Sequence, residues 1–404
     1  MKDVVDVSSP RVLLYVDSLK IGGAERITLT LAQWLYQEGW TPVVLTRQPL
    51  GRDFYPIPAG VERAAEPVDP DWLKRLRWFG FPWRVQRLRC WIRRERVAVA
   101  IGMTTLPAIK LLLATRPLAV PCVVSERNYP PAKRLAMPWR LLRRLTYPWA
   151  DLHLVQTRST GKWLANKVGA KHQLLLPNPV QWPLPRFDPA PDPESWLAAA
   201  GVVADDPLIL AAGTKAYQKG FDRLVQTFAL LAARSPRVQL VILGLASTTY
   251  HGMDQQANLR ALLAQHGDFQ ARLHFPGRVG NMMDWYQRAG IYVLPSRYEG
   301  FPNVLLEAMA AGCACVASDC LTGPADLIEN GRNGLLMPVD ASPMDWAEAL
   351  AELLADTTRR RSLAKQALDV HERFAQQVLR QSFCKALAGL QIADHQGIRN
   401  GKDG

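Results

Sequence analysis

Arg11-Val12-Leu13-Leu14-Tyr15-Val16 runs into Asp17-Ser18-Leu19-Lys20-Ile21-Gly22-Gly23, and a stretch from about Ala24 to Glu38 follows with Ile27, Leu31, Trp34 and Leu35 at helical spacing. The first segment, β-branched and aromatic without polar alternation, reads as a buried strand. Gly39 stops the helix, and Pro42-Val43-Val44-Leu45 reads as the next strand. Strand, glycine turn, helix and strand make a βαβ unit, whose crossover forces parallel pairing. The same alternation returns at Val97–Ile101, Val120–Val124, Leu152–Gln156 and His172–Leu176. It predicts a mainly parallel sheet with helices on both faces.

Seven of the 30 Pro fall between Pro177 and Pro193. Proline fixes φ and lacks an N–H, so this run reads as a stiff connector. The alternation then restarts, with strands expected at Leu208–Ala212, Val238–Leu243, Leu273–Pro276, Ile291–Pro295, Cys313–Ala317 and Gly334–Met337. From Asp345 to about Leu390 the pattern is continuously helical, and 394–404 reads as a frayed tail. The expected organisation is α/β: a Rossmann-like domain over 1–180, a Pro-rich linker over 181–200, a second Rossmann-like domain over 201–375, and a C-terminal helix and tail over 376–404 that returns to the first domain. Two doubly wound domains facing a cleft would line it with the C-terminal ends of their strands, where ligands bind.

At 404 residues, 48% hydrophobic and 21% charged, the chain is neither disordered nor a disulfide-stapled miniature. Its net charge of +13 is lopsided. Residues 1–190 carry 29 Lys and Arg against 14 Asp and Glu, and residues 191–404 carry 20 against 22. Ten of the 13 Trp also lie in the first 190 residues, so an anionic partner is expected there. The six Cys form no C-x-x-C pair, and Cys313 and Cys315 read as small apolar fillers of a strand, which fits reduced thiols in the cytosol. The acidic start Met1-Lys2-Asp3-Val4-Val5-Asp6 does not read as a signal peptide. Arg116 interrupts the most apolar stretch, so membrane contact is expected to be peripheral.

Three strand-to-helix turns carry chemistry. Ser296-Arg297-Tyr298-Glu299-Gly300-Phe301-Pro302-Asn303-Val304-Leu305-Leu306-Glu307 follows a strand and opens a helix, with Gly300 and Pro302 shaping the turn and Asn303 expected as N-cap. Helix N-termini attract anions, and the carboxylates of Glu299 and Glu307 suit sugar hydroxyls. Gly213-Thr214-Lys215-Ala216-Tyr217-Gln218-Lys219-Gly220 enters the next helix, where Lys219 could neutralise phosphate. Gly22-Gly23-Ala24-Glu25-Arg26 is a third turn that a ligand can approach closely, though no G-x-G-x-x-G is present.

Together with Pro177-Asn178-Pro179, Phe275-Pro276-Gly277-Arg278-Val279 and Asn330-Gly331-Arg332-Asn333-Gly334, these motifs resemble the retaining glycosyltransferases of family 4, over nearly the whole chain. The Ser125-Glu126-Arg127-Asn128 run and Thr322-Gly323-Pro324 resemble the subgroup that adds hexoses or N-acetylhexosamines to lipid-linked or lipopolysaccharide glycans. The resemblance implies the two-domain GT-B fold, with a UDP-sugar on the second domain and the acceptor on the first. It implies that Glu299 contacts donor sugar hydroxyls, Glu307 the ribose and Lys219 the diphosphate. Arg278 and Val279 would frame the base, and backbone N–H groups from Phe301 to Val304 would reach phosphate and sugar, with Gly22 and Gly23 closing over the phosphate.

Two departures stand out. Thr214 follows Gly213 where family members commonly carry Arg, and Lys215 replaces a bidentate fork only as a point charge. Ser125-Glu126-Arg127-Asn128 stands where many members carry His, so Glu126 either meets a sugar or forms a buried ion pair with an Arg. The resemblance favours front-face substitution, the leaving phosphate taking the acceptor proton, over a carboxylate nucleophile of the hydrolase kind. No metal or other cofactor is expected beyond the nucleotide sugar, because the single Asp-x-Asp, Asp69-Pro70-Asp71, reads as turn and N-cap chemistry.

Trp72 to Arg96 holds nine cations, one acid and six aromatics in 25 residues. Lys133, Arg134, Trp139, Arg140, Arg143, Arg144 and Trp149 form a second cluster. Trp72, Trp78, Trp83, Arg84, Arg87 and Trp91 are expected to meet an anionic membrane surface at the inner face of the cell membrane. A solvated basic face is the competing reading, and no nucleic-acid motif supports a third. The competing function is a weakened GT-B protein that binds anionic surfaces.

Overall fold

The computed structural model describes residues 9–20, 22–76, 78–127, 129–132, 135–245 and 254–400. Two compact units emerge, Met1–Asn178 with Gln377–Gly404, and Pro179–Gln376.

The first unit is built on a parallel sheet of β1 (Arg11–Val16), β2 (Thr41–Thr46), β3 (Glu62–Ala65), β4 (Val97–Met103), β5 (Cys122–Glu126), β6 (Leu152–Val155) and β7 (Gln173–Leu175). Among the described residues the order is β3-β2-β1-β4-β5-β6-β7. Side chains alternate across β1 as a strand demands. Val12, Leu14 and Val16 join Leu31 and Trp34 in one core, whereas Leu13 and Tyr15 join Ile109 and Leu112 in another. Strand β4 can approach the helix Thr105–Thr115 closely because Gly102 has no side chain; a Cβ there would lie 2.5 Å from Ala108 Cα.

The second unit repeats the plan with β8 (Leu208–Ala212), β9 (Gln239–Leu243), β10 (Leu273–Gly277), β11 (Gly290–Leu294), β12 (Ala314–Ser318) and β13 (Leu335–Met337). Its order is β10-β9-β8-β11-β12-β13, again parallel among the described residues. In each unit the chain reverses direction across the sheet once, between β1 and β4 and between β8 and β11. A crevice forms there at the strand C-termini, because the crossover helices on either side lie on opposite faces. Both units are thus Rossmann-like.

Several elements differ from the sequence reading. Strand β3, Glu62-Arg63-Ala64-Ala65, was not expected; it is a short polar edge strand, a form that discourages edge pairing. The continuous helix expected over 345–390 is four helices, Pro343–Ala355, Thr357–Ala367, Val370–Arg373 and Gln376–Asn400. Asp356 makes the first break by accepting from Arg359 N–H as an N-cap. The last helix runs through the expected frayed tail to Asn400, with no Pro to interrupt it. It belongs to the first unit, where Leu379, Phe383 and Leu387 pack in the core around Trp34. Cys313 and Cys315 are fully buried, and burial pushes the Cys313 thiol up to about 12. Among the described residues no helix is long and apolar enough to cross a membrane.

Candidate functional site

In the second unit the two loops leaving β8 and β11 meet at the strand-order reversal. The Lys219 ammonium lies 2.8 Å from Glu299 Oε1, and Ser296 Oγ donates to that same oxygen at 2.5 Å. The pair is well buried, with side-chain exposures of 14% for Lys219 and 6% for Glu299. Gly213 makes room for it, because a Cβ there would stand 2.6 Å from Lys219 Cγ. Gly220, at φ +68°, turns the chain past Pro295, whose carbonyl oxygen would lie 2.1 Å from an added Cβ.

Residues that the sequence reading passed over lace the loops together. Arg297 grips both oxygens of Asp222 at 2.7 and 2.6 Å, lies 4.2 Å from the Tyr217 ring centroid and donates to Tyr217 O. Those Asp222 bonds raise the Arg297 pKa. Arg297 N–H also donates to Gln218 O at 2.9 Å. Gln255 accepts from Ala216 N–H at 2.8 Å and donates to Thr214 O. No motif announces these partners, which lie 39 to 80 residues apart in the chain.

Glu299 is also fixed from behind. The Thr322 hydroxyl donates to its carbonyl, and Gly323 at φ +98° lets the Thr322-Gly323-Pro324 turn press against Pro302. The helix Asn303–Ala310 starts there. Asn303 is its first residue and not the expected N-cap, a position held by Pro302, which offers no side-chain cap. The Pro302 carbonyl accepts from Leu305 and Leu306 N–H, while Tyr286 OH donates to Val304 O at 3.1 Å. Glu307 is half-buried just over one turn into this helix. Burial first and the Glu307 charge second raise the Tyr286 pKa well above its usual value. Phe301 is buried against Phe374, and Gly300 carries the turn ahead of it. Thr214, Lys215 and Arg278 are exposed, and Val279 packs against the core.

In the first unit Ser125 and Glu126 end β5 and are buried. The Glu126 carboxylate accepts from Thr105 Oγ1 at 3.2 Å and from Tyr147 OH at 2.8 Å. Burial, then the Glu126 charge, raise the Tyr147 pKa. Arg127 turns to other partners: Ser125 Oγ at 2.7 Å, Leu176 O and Asn178 Oδ1. Burial lowers its pKa to about 9, and its Nη2 has no partner among the described residues. Asn128 lies outside the described residues, as do Arg77, Lys133 and Arg134. Gly22 precedes the helix Gly23–Gln37, and the half-buried Glu25 carboxylate folds over it, 2.1 Å from where a Cβ would stand.

The basic, Trp-rich stretch is more structured than a uniform lipid-facing surface. Asp69 takes Arg84 at 2.6 Å and Arg87 at 2.8 Å, so it is an anchor for the helix Phe81–Arg94 and not the turn and cap residue expected. Asp71 pairs with Lys74. Trp91 packs against the core, and Trp78 stacks on Trp139 with centroids 5.8 Å apart. Trp72 and Trp83, edge to face at 6.2 Å, are both exposed, as is Phe79. On the helix Met137–Thr146, Met137, Leu141 and Leu145 recur every fourth residue and are exposed, with Arg140 and Arg144 on the same helix. Among the described residues no three potential metal ligands converge.

The fold of the two units agrees with the comparisons. Residues 193–370 match Glycosyl transferases group 1, and residues 21–181 match Glycosyltransferase Family 4. The chain therefore carries both glycosyltransferase domains, the second of which contains the Lys219–Glu299 pair. It is similar to the exopolysaccharide phosphotransferase of Streptomyces coelicolor, at 30% identity over 283 residues, 69% of this chain and 27% of that protein. The chain spans 27% to 54% of the length of the curated relatives it matches. Sucrose-phosphate synthase from Thermosynechococcus elongatus shares the fold at a TM-score of 0.76 and 19% identity, covering 95% of this chain and 100% of that one. The HepE protein of Anabaena, solved with UDP and glucose, gives 0.73 at 19% identity over 93% and 99%.

Proposed function

We propose that the chain is a retaining glycosyltransferase that moves a hexose or N-acetylhexosamine from a UDP-sugar to a lipid-linked or polysaccharide acceptor at the cytoplasmic face of a membrane. The observation that carries this reading is the buried Lys219–Glu299 pair at the strand-order reversal of the second unit, beside the start of the helix Asn303–Ala310. Cleaving the anomeric C–O bond builds negative charge on the departing diphosphate. Lys219 and the helix start answer that charge from fixed positions, so little reorganisation accompanies the reaction. Oε1 of Glu299 is engaged by Lys219 and Ser296, which leaves Oε2 to accept from a donor-sugar hydroxyl. Glu299 thus orients the sugar and does not attack it; the leaving phosphate takes the acceptor proton. Glu307 holds the ribose, and Arg278 with Val279 borders the base. The UDP complex of HepE supports the nucleotide, and the D-inositol 3-phosphate glycosyltransferases among the matched relatives support glycosyl transfer, though their names give a different acceptor, a phosphorylated cyclitol. For the membrane, the exposed Trp72, Phe79 and Trp83 and the Met137–Leu141–Leu145 stripe supply apolar contact beside Arg140 and Arg144.

The test is turnover and binding with a panel of UDP-, GDP- and ADP-sugars, repeated with Glu299→Ala and Lys219→Ala. A UDP-sugar should be consumed by the parent chain and not by either variant. Neither turnover nor UDP binding in the parent chain would refute the reading.

A further inference from the structure

Lys219 and Glu299 stand on different loops, and a clasp just upstream of each ties the loops together. The short helix Ala216–Lys219 follows β8, and Ser296-Arg297-Tyr298-Glu299 follows β11. Arg297 reaches across to three positions around Lys219. Its Nη1 donates to Tyr217 O at 2.8 Å and to Asp222 Oδ1 at 2.7 Å, and its Nη2 donates to Asp222 Oδ2 at 2.6 Å. Its backbone N–H donates to Gln218 O, and Gln218 returns a bond from Nε2 to Tyr298 O at 3.3 Å. The same guanidinium lies over the Tyr217 ring. The two residues that precede Lys219 and the two that precede Glu299 are therefore cross-linked along their length.

Lys219 itself has little else to hold it. Among the described residues its ammonium has Glu299 as its hydrogen-bonding partner, at the end of a flexible four-carbon stem. The backbone beneath that stem must therefore be fixed by other groups. Arg297 does this with a planar fork, whose donors point in set directions and meet both oxygens of one carboxylate. That carboxylate, Asp222, sits in the first turn of the helix Phe221–Arg234, so the fork is anchored on a regular element and not on another loop. An exposed ion pair alone contributes little. Here a backbone carbonyl, an aromatic face and a backbone N–H join it, all directed at the one turn.

We propose that Arg297 is a positioning residue for the Lys219–Glu299 pair: it fixes the Ala216–Lys219 turn against the loop after β11, and so sets where the Lys219 ammonium stands. The consequence for rate rests on the transferase reading above; the coupling of Arg297 to the pair does not. In that reaction Lys219 meets charge that grows on the departing diphosphate, so its placement counts most in the transition state. A displacement of about 1 Å can cost about a hundredfold in rate. Arg297→Lys keeps the charge and loses the fork, whereas Asp222→Asn keeps the shape and loses the charge.

The experiment compares the full chain with Arg297→Lys, Asp222→Asn and the double variant, on the UDP-sugar that the parent consumes. In Arg297→Lys kcat should fall by about 10–100-fold while KM changes by less than about threefold, the pattern of an interaction made only in the transition state. Asp222→Asn should show the same split, and the double variant should be no slower than the slower single, because the two residues act as one clasp. A merely structural role would lower the melt and leave kcat at temperatures below it unchanged. A second measurement needs no substrate: urea unfolding of Arg297→Lys, Lys219→Met and their double. Lys219→Met should shift the midpoint by no more than about half as much in the Arg297→Lys background, since a loosened turn no longer holds the pair. Additivity in that cycle, or kcat values in Arg297→Lys and Asp222→Asn equal to the parent's, would overturn the proposal. A coupled cycle in a chain that consumes no UDP-sugar sinks the transferase reading and leaves the positioning role standing.

Discussion

Replacing Lys219 by Met removes the charge opposite Glu299 while keeping the length of the side chain. Losing one member of a buried ion pair costs about 3–5 kcal/mol, because the survivor stays desolvated without its partner. Ser296 Oγ still donates to Glu299 in the variant, which places the expected cost near the lower end, about 3 kcal/mol. For a unit of this size each kcal/mol lowers Tm by about 2–4 °C, so the melt should fall by about 6–12 °C. Glu299→Gln should cost less, about 1–2 kcal/mol, since its amide oxygen still accepts from Lys219 and the long lysine stem can swing toward water. The double variant carries no buried charge, so its loss should fall short of the sum of the singles by at least about 1 kcal/mol. Urea unfolding of the four proteins closes the cycle. UDP should also raise the Tm of the parent chain and not that of Lys219→Met, because only a ligand of the folded state stabilises it. Strict additivity, or a Lys219→Met chain as stable as its parent, would refute the buried-pair reasoning.

Three further outcomes follow from the geometry. Burial holds His153 at about 4, below the roughly 6.5 of an unfolded histidine, so the unfolded chain binds the proton first. Its contribution is complete above about pH 6.5 and is lost as pH falls toward 4, by about 3 kcal/mol. His153→Phe should therefore flatten the fall of Tm with acid, and parallel curves would contradict this. Gly220→Ala forces a Cβ against Pro295 O from a left-handed backbone, and should lose more than about 2 kcal/mol in urea unfolding. Flotation with phosphatidylglycerol vesicles should weaken when Trp72, Phe79 and Trp83, or separately Met137, Leu141 and Leu145, become Ser; unchanged flotation by both sets excludes this surface.

The sheets were legible because their strands are buried on both faces and so read as unbroken apolar runs; β8 spans the residues expected of it, and β11 and β12 differ by one position at each end. Strand β3 was not, since an edge strand of Glu, Arg and two Ala has no such run. Helix breaks at Asp356 and near Asp369 were hidden because the apolar periodicity continues across them. Lys219 and Glu299 could each be singled out by position after a strand, yet their direct contact depends on β8 and β11 being neighbours. In the first unit, the hydrogen-bonded cluster of Tyr15, Glu66 and Lys110 had no local sign at all. Its members lie 44 to 95 residues apart and meet only because β1, β3 and the helix after β4 converge. Asp69 was misjudged for a related reason: Pro70 beside it signals a turn, whereas its partners Arg84 and Arg87 sit on the next long helix.

The terminal helix Gln376–Asn400 has a consequence for how the chain is made. Leu379, Phe383 and Leu387 close the core around Trp34, yet they leave the ribosome after the whole second unit. A nascent first unit must therefore wait, with part of its hydrophobic core uncovered, while nearly 200 further residues are synthesised. Its early folding intermediate is a natural client for chaperones, and the second unit, whose residues are contiguous, is the part able to mature first.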